Sequence, residues 1–163
     1  MKKLIIIIFI STLSYSQDIR LGDTETFNIS ILTDARASIK EKGINIGGEI
    51  ELVSNAIYVR SGIQTFSVLE GGYMDWTTGI GLNLKSGYFD NFRYYAGGRL
   101  GLIWRDGNSY PTAGCEIGIE HNFNSGFILG LRGTYDYRSD FEYWSNNKAE
   151  MRYSCFIKIG FKL

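Results

Sequence analysis

Side chains along a β-strand point alternately to opposite faces, so a strict two-residue hydrophobic period commits a segment to a sheet with one oily face. The thirteen residues 151–163 of this chain have that period. Met151, Tyr153, Cys155, Ile157, Ile159, Phe161 and Leu163 take the odd positions; Arg152, Ser154, Phe156, Lys158, Gly160 and Lys162 take the even ones. A tilted strand of about 9–11 residues crosses the hydrocarbon core of a bilayer, so this segment is long enough to span one.

The pattern recurs upstream and predicts eight strands, at 26–39, 44–53, 56–68, 73–85, 92–105, 112–121, 126–137 and 151–163. The second half of the first strand is weak, and 33–42 alternatively forms a short helix capped by Thr33 or Asp34. The third strand places Ser61 and Thr65 on its otherwise apolar face. Turns are predicted at 40–43, at Ser54-Asn55, at 86–91 and at 122–125. Loops are predicted at 69–72, at 106–111 with its Asp-Gly signal and the single Pro, and at 138–148.

The first residues, MKKLIIIIFISTLSYSQ, combine a charged start at Lys2 and Lys3, an apolar run from Leu4 to Ile10, and small residues at Ser14 and Ser16. This predicts a secretory signal over 1–16, a polar periplasmic lead-in over 17–25 and one barrel domain over 26–163. No Cys stands at the cleavage point, so no lipid anchor is expected there. Beyond the leader no apolar run could cross a membrane as a helix. A membrane-spanning sheet must then close on itself, because an open edge leaves backbone groups unsatisfied in lipid. The expected class is an all-β, eight-stranded antiparallel up-and-down transmembrane barrel. Both ends fall on the periplasmic side, with the Asn55 and Asn122 turns beside them and the Asp106 and Arg138 loops outside.

Two features point the oily face outward. Nine glycines sit on the polar face, among them Gly79, Gly97, Gly118 and Gly130. They would weaken a solvent-facing wall without return, but they make room inside a narrow barrel. Large aromatics also sort to the ends of the apolar face. Trp76, Trp104, Tyr135, Tyr137 and Tyr153 fall toward the outer rim, and Phe27, Tyr94, Phe127 and Phe161 toward the periplasmic rim. Two such girdles mark the membrane interfaces.

The polar face carries a candidate lumen network of Glu49, Arg60, Arg99, Glu116, Glu120, Arg132, Asp136 and Arg152. Hairpin register sets Glu116 opposite Arg132, Arg99 near Glu116 and Glu120, Glu49 opposite Arg60, and Asp136 near Arg152. Buried charges must be matched, so this set is read as filling the lumen and closing it to all but water and small ions. Cys115 and Cys155 fall on strands separated by another strand, too far apart for a disulfide.

On these residues, and on the terminal segment Ser154-Cys-Phe-Ile-Lys-Ile-Gly-Phe-Lys-Leu163, the chain resembles the small eight-stranded bacterial outer-membrane barrels of the OmpA-like and OmpX-like kind. Such barrels often end on Phe; here Leu163 is last and Phe161 stands two before it. The resemblance implies a cell outer-membrane location and outer-membrane lipid as surroundings. Some barrels of this size modify lipids with a His activated near a Ser or a carboxylate. The single His121 is followed by Asn122-Phe123-Asn124, with Phe where such a pattern needs Ser, and it maps to the periplasmic rim.

No cofactor, metal or phosphate-loop signature occurs. The leader's Lys2 and Lys3 are two of 17 basic residues, so the mature chain carries 15 bases against 17 acids and gives no reason to expect nucleic acid. Arg138, Phe141, Tyr143 and Trp144 in the longest loop form a candidate contact surface for an extracellular protein or ligand; a loop folded over the rim is the alternative. The expected function is a non-enzymatic outer-membrane barrel with a structural or surface-contact role. The rivals are a secreted, lipocalin-like barrel holding an apolar ligand, a lipid-modifying enzyme, and a narrow channel.

Overall fold

Alternating side chains make a sheet, and short connections make neighbours in sequence neighbours in space. A computed structural model describes residues 19–21, 25–66, 69, 72–86, 91–144 and 150–163, with the backbone alone at 19–21, 85, 86, 143 and 144. The secretory signal expected over 1–16 lies outside the described residues. The barrel strands are β1 Thr26–Asp34, β2 Asn45–Ser54, β3 Ile57–Phe66, β4 Tyr73–Ser86, β5 Phe92–Arg105, β6 Asn108–Asn122, β7 Phe127–Arg138 and β8 Glu150–Lys162. Each pairs antiparallel with its neighbours in sequence, and β8 returns to β1 through pairs such as Phe161 with Ile29 and Ile157 with Thr33. The sheet is therefore closed. A short strand, Ile19–Leu21, extends the ladder at the Leu84–Ser86 end of β4, where β3 has not yet begun.

The wall is oily outside and polar inside. Ile31 is 66% exposed and Leu100 68%, whereas Glu51 and Lys158 are each 1% exposed. A barrel that holds an apolar ligand needs the reverse, so the lipocalin-like alternative is excluded by orientation. The two polar residues that break the outer pattern are both satisfied locally. The Trp76 indole N–H donates to Ser61 Oγ at 2.8 Å, and Thr65 Oγ1 donates to the Tyr73 carbonyl at 3.1 Å.

Two segments differ from the sequence expectation. The first strand ends at Asp34 rather than at 39. The Asp34 carboxylate caps helix α1, Ala35–Lys40, by accepting from Ala37 N at 2.9 Å. An acceptor side chain at the first turn, followed by two alanines, favours the helix over a continued strand. The second difference is at 106–111, where the loop is only the pair Asp106-Gly107. Both have positive φ, 48° and 75°, the geometry whose twist matches a two-residue hairpin. The sixth strand thus starts at Asn108, four residues earlier than expected, and Pro111 lies within it opposite Leu102. The ladder to β7 begins only at Thr112, so the missing N–H of Pro111 breaks no bond on that side.

Interior glycines admit the large side chains. A Cβ on Gly118 would strike the Tyr95 ring, one on Gly97 the Tyr58 hydroxyl, and one on Gly79 would lie 2.8 Å from Glu116 Oε1. Outward-facing Gly48 has nothing within 4 Å of an added Cβ. Gly118→Val should therefore destabilise the barrel by about 1–3 kcal/mol through overpacking, while Gly48→Ala should stay within about 0.5 kcal/mol of the parent. Urea unfolding in detergent, followed by tryptophan fluorescence, reads both.

Candidate functional site: the barrel interior

Inward positions on all eight strands converge on one polar cluster. Four cations, Arg60, Arg93, Arg132 and Lys158, meet four acids, Glu49, Glu51, Glu116 and Glu120, and each is at most 5% exposed. Lys158 on β8 lies 3.0 Å from Glu49, 3.6 Å from Glu51 and 2.8 Å from Glu120. Arg60 on β3 lies 3.0 Å from Glu51 and 3.2 Å from Glu116. Arg93 on β5 donates to Glu51 at 2.6 Å and to Glu120 at 2.7 Å, and Arg132 on β7 donates to Glu49.

The remaining two strands join through amides. Asn28 on β1 donates to Glu51 at 2.9 Å, and Asn83 on β4 accepts from Arg93 Nε at 2.5 Å. Tyr58 and Tyr95 stack edge to face at 5.4 Å, with the Arg60 guanidinium 4.3 and 4.2 Å from their ring centres. The Tyr58 hydroxyl donates to Glu116 at 2.6 Å. Matched, hydrogen-bonded ions of this kind are tolerated in a low-dielectric interior, whereas a lone ion is not.

The expected charged residues do face inward, but several pairings are displaced by two residues. Glu116 stands across from Thr134 and Arg132 across from Gly118; Glu51, not Glu49, stands across from Arg60. Arg132 nevertheless comes within 3.8 Å of Glu116, and Arg60 within 3.8 Å of Glu49. Arg99 pairs with neither Glu116 nor Glu120. Its Nε lies 3.3 Å from Asp136, and its Nη2 donates to Thr77 at 3.0 Å. Asp136 is directly opposite Arg152 in register, yet Arg152 turns away to Glu41 at 3.7 Å. Glu51, Arg93 and Lys158 were not assigned to the network from sequence. Their signal was present, since each falls on the polar face of its strand.

The upper rim carries the connections after β1, β3, β5 and β7, and the described start of the last of these folds in over the mouth. Arg138 donates to Asp140 at 2.8 and 2.9 Å, Arg105 donates to the same carboxylate at 3.3 Å, and Asp140 is fully buried. Phe141, at the start of the single-turn helix α2 Phe141–Trp144, is 9% exposed, with the Arg138 and Arg152 guanidinium groups 4.8 and 4.5 Å from its ring centre. This corrects the placing of Arg138 and Phe141 on an outward contact surface: both fold over the mouth, because Asp140 and the ring give them buried partners there. The side chains of Tyr143 and Trp144 lie outside the described residues.

The aromatic positions are on the outer wall at opposite ends of the strands. Trp76, Trp104, Tyr135, Tyr137 and Tyr153 lie near the upper ends, and Phe27, Tyr94, Phe127 and Phe161 near the lower. The lower set continues into a chain of rings, with Phe127 to Phe161 at 5.6 Å and Phe123 to Phe127 at 5.4 Å. His121 belongs to this chain, 4.6 Å from Phe92 and 4.4 Å from Phe123. Cys115 and Cys155 are free thiols on the outer wall. Among the described residues no group of three or more His, Cys, Asp or Glu could hold a metal.

No protein-family model and no curated protein sequence matches the chain. Solved structures do. The N-terminal β-barrel domain of Pseudomonas aeruginosa OprF matches with a TM-score of 0.61 at 11% identity, over 86% of this chain and all of that one. A barrel from the de novo design of transmembrane β-barrels matches with a TM-score of 0.57 at 14% identity, over 88% and 99%. Neisserial surface protein A matches with a TM-score of 0.51 at 10% identity, over 85% and 96%. The fold is therefore that of the eight-stranded up-and-down transmembrane barrels.

Lys158→Met should cost about 3–5 kcal/mol, because it leaves four buried acids facing three cations. Adding Glu120→Gln should recover part of the loss, as a double-mutant cycle in urea unfolding would read. Burial raises the Asp140 carboxyl, but hydrogen bonds from Arg138 and the charges of Arg138 and Arg105 outweigh it and hold the group below its ordinary value of 3.8. Its contribution is thus complete above that value and is lost as pH falls through the lower, folded-state value. The stability gap between the parent and Asp140→Asn should accordingly narrow below about pH 4, as acid titration of the unfolding midpoint would measure.

Proposed function

We propose that this chain is an integral barrel of the bacterial outer membrane, with its apolar wall in lipid and its lumen closed by matched charges, serving a structural or surface-contact role without enzymatic activity. The observation that carries this is the polarity of a closed sheet. Isoleucines and leucines ring the outside while four cations and four acids fill the centre. In water that arrangement exposes the oily wall and hides the ions, two unfavourable terms at once. In a bilayer the wall is solvated by hydrocarbon, and closure satisfies every ladder group.

The two aromatic rims support the same placement, since Trp and Tyr favour the headgroup level. The likeness to a designed transmembrane barrel and to a neisserial surface protein accords with it. The upper rim, with both described helices and the two longest connections, 35–44 and 139–149, is assigned to the cell surface, and the opposite rim, whose connections are all of five residues or fewer, to the periplasm.

A closed lumen is favoured over a channel because the charged cluster separates an upper vestibule of about 410 Å³ from a lower one of about 480 Å³. The non-enzymatic reading is favoured by the setting of His121. Its ring is held between Phe92 and Phe123 on the outer face of the lower rim, away from Glu120, whose carboxylate points into the lumen.

Purified, detergent-folded protein should run at a different apparent mass before and after boiling, and membranes washed in alkaline carbonate should retain it. Release into the supernatant would defeat the membrane reading. Planar bilayers containing the folded protein should show no steady conductance; a sustained single-channel current would replace the closed lumen with a pore.

A further inference from the structure

We propose that the upper vestibule is a binding site for an oxyanion, a sulfate, phosphate or carboxylate group, carried on a molecule at the cell surface. This rests on the assignment of the upper rim to the outside.

The cavity has a volume of about 410 Å³, within the range of small-molecule sites. Its lining residues nearly balance in formal charge, six cations against five acids. What distinguishes them is how the acids are committed. Asp34 Oδ1 caps α1 and accepts from Cys155 N at 3.4 Å. Asp136 holds Arg99 and accepts from Thr134 at 2.7 Å. Asp75 takes the Tyr73 hydroxyl on Oδ2 at 2.5 Å, while its buried Oδ1 has no hydrogen-bond partner among the described residues. Glu41 is shared between Lys40 at 3.4 Å and Arg152 at 3.7 Å. Glu150, the remaining acid of the lining, is exposed.

The arginines are less well served. Arg36 donates to the Tyr153 carbonyl at 2.7 Å and lies 3.8 Å from that ring's centre, and it forms no ion pair among the described residues. Arg152 has one distant ion-pair partner, Glu41, with the exposed Glu150 also near, set against two like charges, Arg138 and Arg36. Arg138 has its counter-charge in Asp140, which leaves Arg36 and Arg152 as the weakly compensated guanidinium groups of the mouth. Deeper in the same cavity, Arg99 is 7% exposed and its Nη1 has no hydrogen-bond partner among the described residues. An unpartnered guanidinium N–H suits an oxyanion, which accepts charge-assisted hydrogen bonds. Arg152 and Arg36 at the mouth, with Arg99 at the floor, thus supply donors at two depths.

The test is isothermal titration of the detergent-folded protein at low salt with a sulfated disaccharide and with inorganic phosphate. A parallel lipid arm uses the protein in nanodiscs of phosphatidylglycerol or of phosphatidylcholine, with bound lipid counted by native mass spectrometry. Saturable binding should weaken about tenfold or more in Arg152→Gln and in Arg36→Gln. It should also fall with added salt and be unchanged in Lys162→Gln at the opposite rim. Arginine-dependent binding of the disaccharide assigns the oxyanion to a surface glycan. Arginine-dependent retention of phosphatidylglycerol alone assigns it to a lipid headgroup, and of phosphate alone to the free ion. Arg36 lies outside the strands, so its variant keeps the test decisive if Arg152→Gln does not fold. Folded protein, recognised by its boiling-dependent gel shift, that binds none of these, or binds equally in both variants, overturns the site while leaving the barrel reading intact. A parent protein with no gel shift overturns the barrel reading itself.

Discussion

A backbone N–H or C=O that faces hydrocarbon has no water to turn to, and the rest of this architecture follows from that. The sheet must close, which β8 does against β1. Closure divides every strand into an outward face that must be apolar and an inward face that takes whatever is polar. The inward faces of eight narrow strands meet within reach of one another, so charges placed there cannot be left singly. The cluster around Lys158 is the outcome. It contains equal numbers of acids and bases and draws a hydrogen bond or ion pair from every strand of the barrel. The same side chains that satisfy the polar interior therefore also cross-link the wall from within.

Space sets a second limit. An eight-stranded barrel has room for side chains and little else, while arginine, glutamate and tyrosine are among the longest residues. Glycines resolve the conflict position by position: Gly97 faces Tyr58, Gly118 faces Tyr95, and Gly130 would bring a Cβ within 2.8 Å of Glu120 Cγ. Each large polar residue is thus matched by an absent side chain on a neighbouring strand. Neither member of such a pair makes sense alone, and the two explain why a chain with 20 glycines can still form long, regular strands.

The face of each residue was legible from sequence because a two-residue period is a local property. Partnership was not, because sliding one strand by two residues keeps every face and changes every partner. Glu116 and Arg132 were expected to stand opposite each other and are two positions apart; Arg99 was expected among glutamates and meets Asp136 instead. Long side chains absorb part of such an error, and Arg132 still comes within 3.8 Å of Glu116. The Asp106-Gly107 signal was visible, but its extent was not: nothing local says that a strand containing Pro111 resumes at once. At Asp34 the strand and helix patterns competed, and the cap decided. Arg93 and Lys158 were placed on the correct face, yet their importance depends on side chains brought in from distant strands.

An interior so tightly matched leaves little freedom to acquire function there, since a change to any one ion leaves another uncompensated. The outer wall is likewise constrained to be apolar. The freedom that remains lies at the rims, where strands end and charge is partly solvated. The two rims use it differently. The lower one is lined by asparagines, including Asn28, Asn83, Asn91 and Asn122. The upper one gathers arginines around Phe141 and shares two carboxylates between pairs of cations, Asp140 between Arg105 and Arg138 and Glu41 between Lys40 and Arg152. Such sharing leaves Arg152 with only part of a counter-charge. In a barrel whose centre is balanced ion for ion, the loosely paired Arg36 and Arg152 at the mouth are the departure a ligand would be needed to complete.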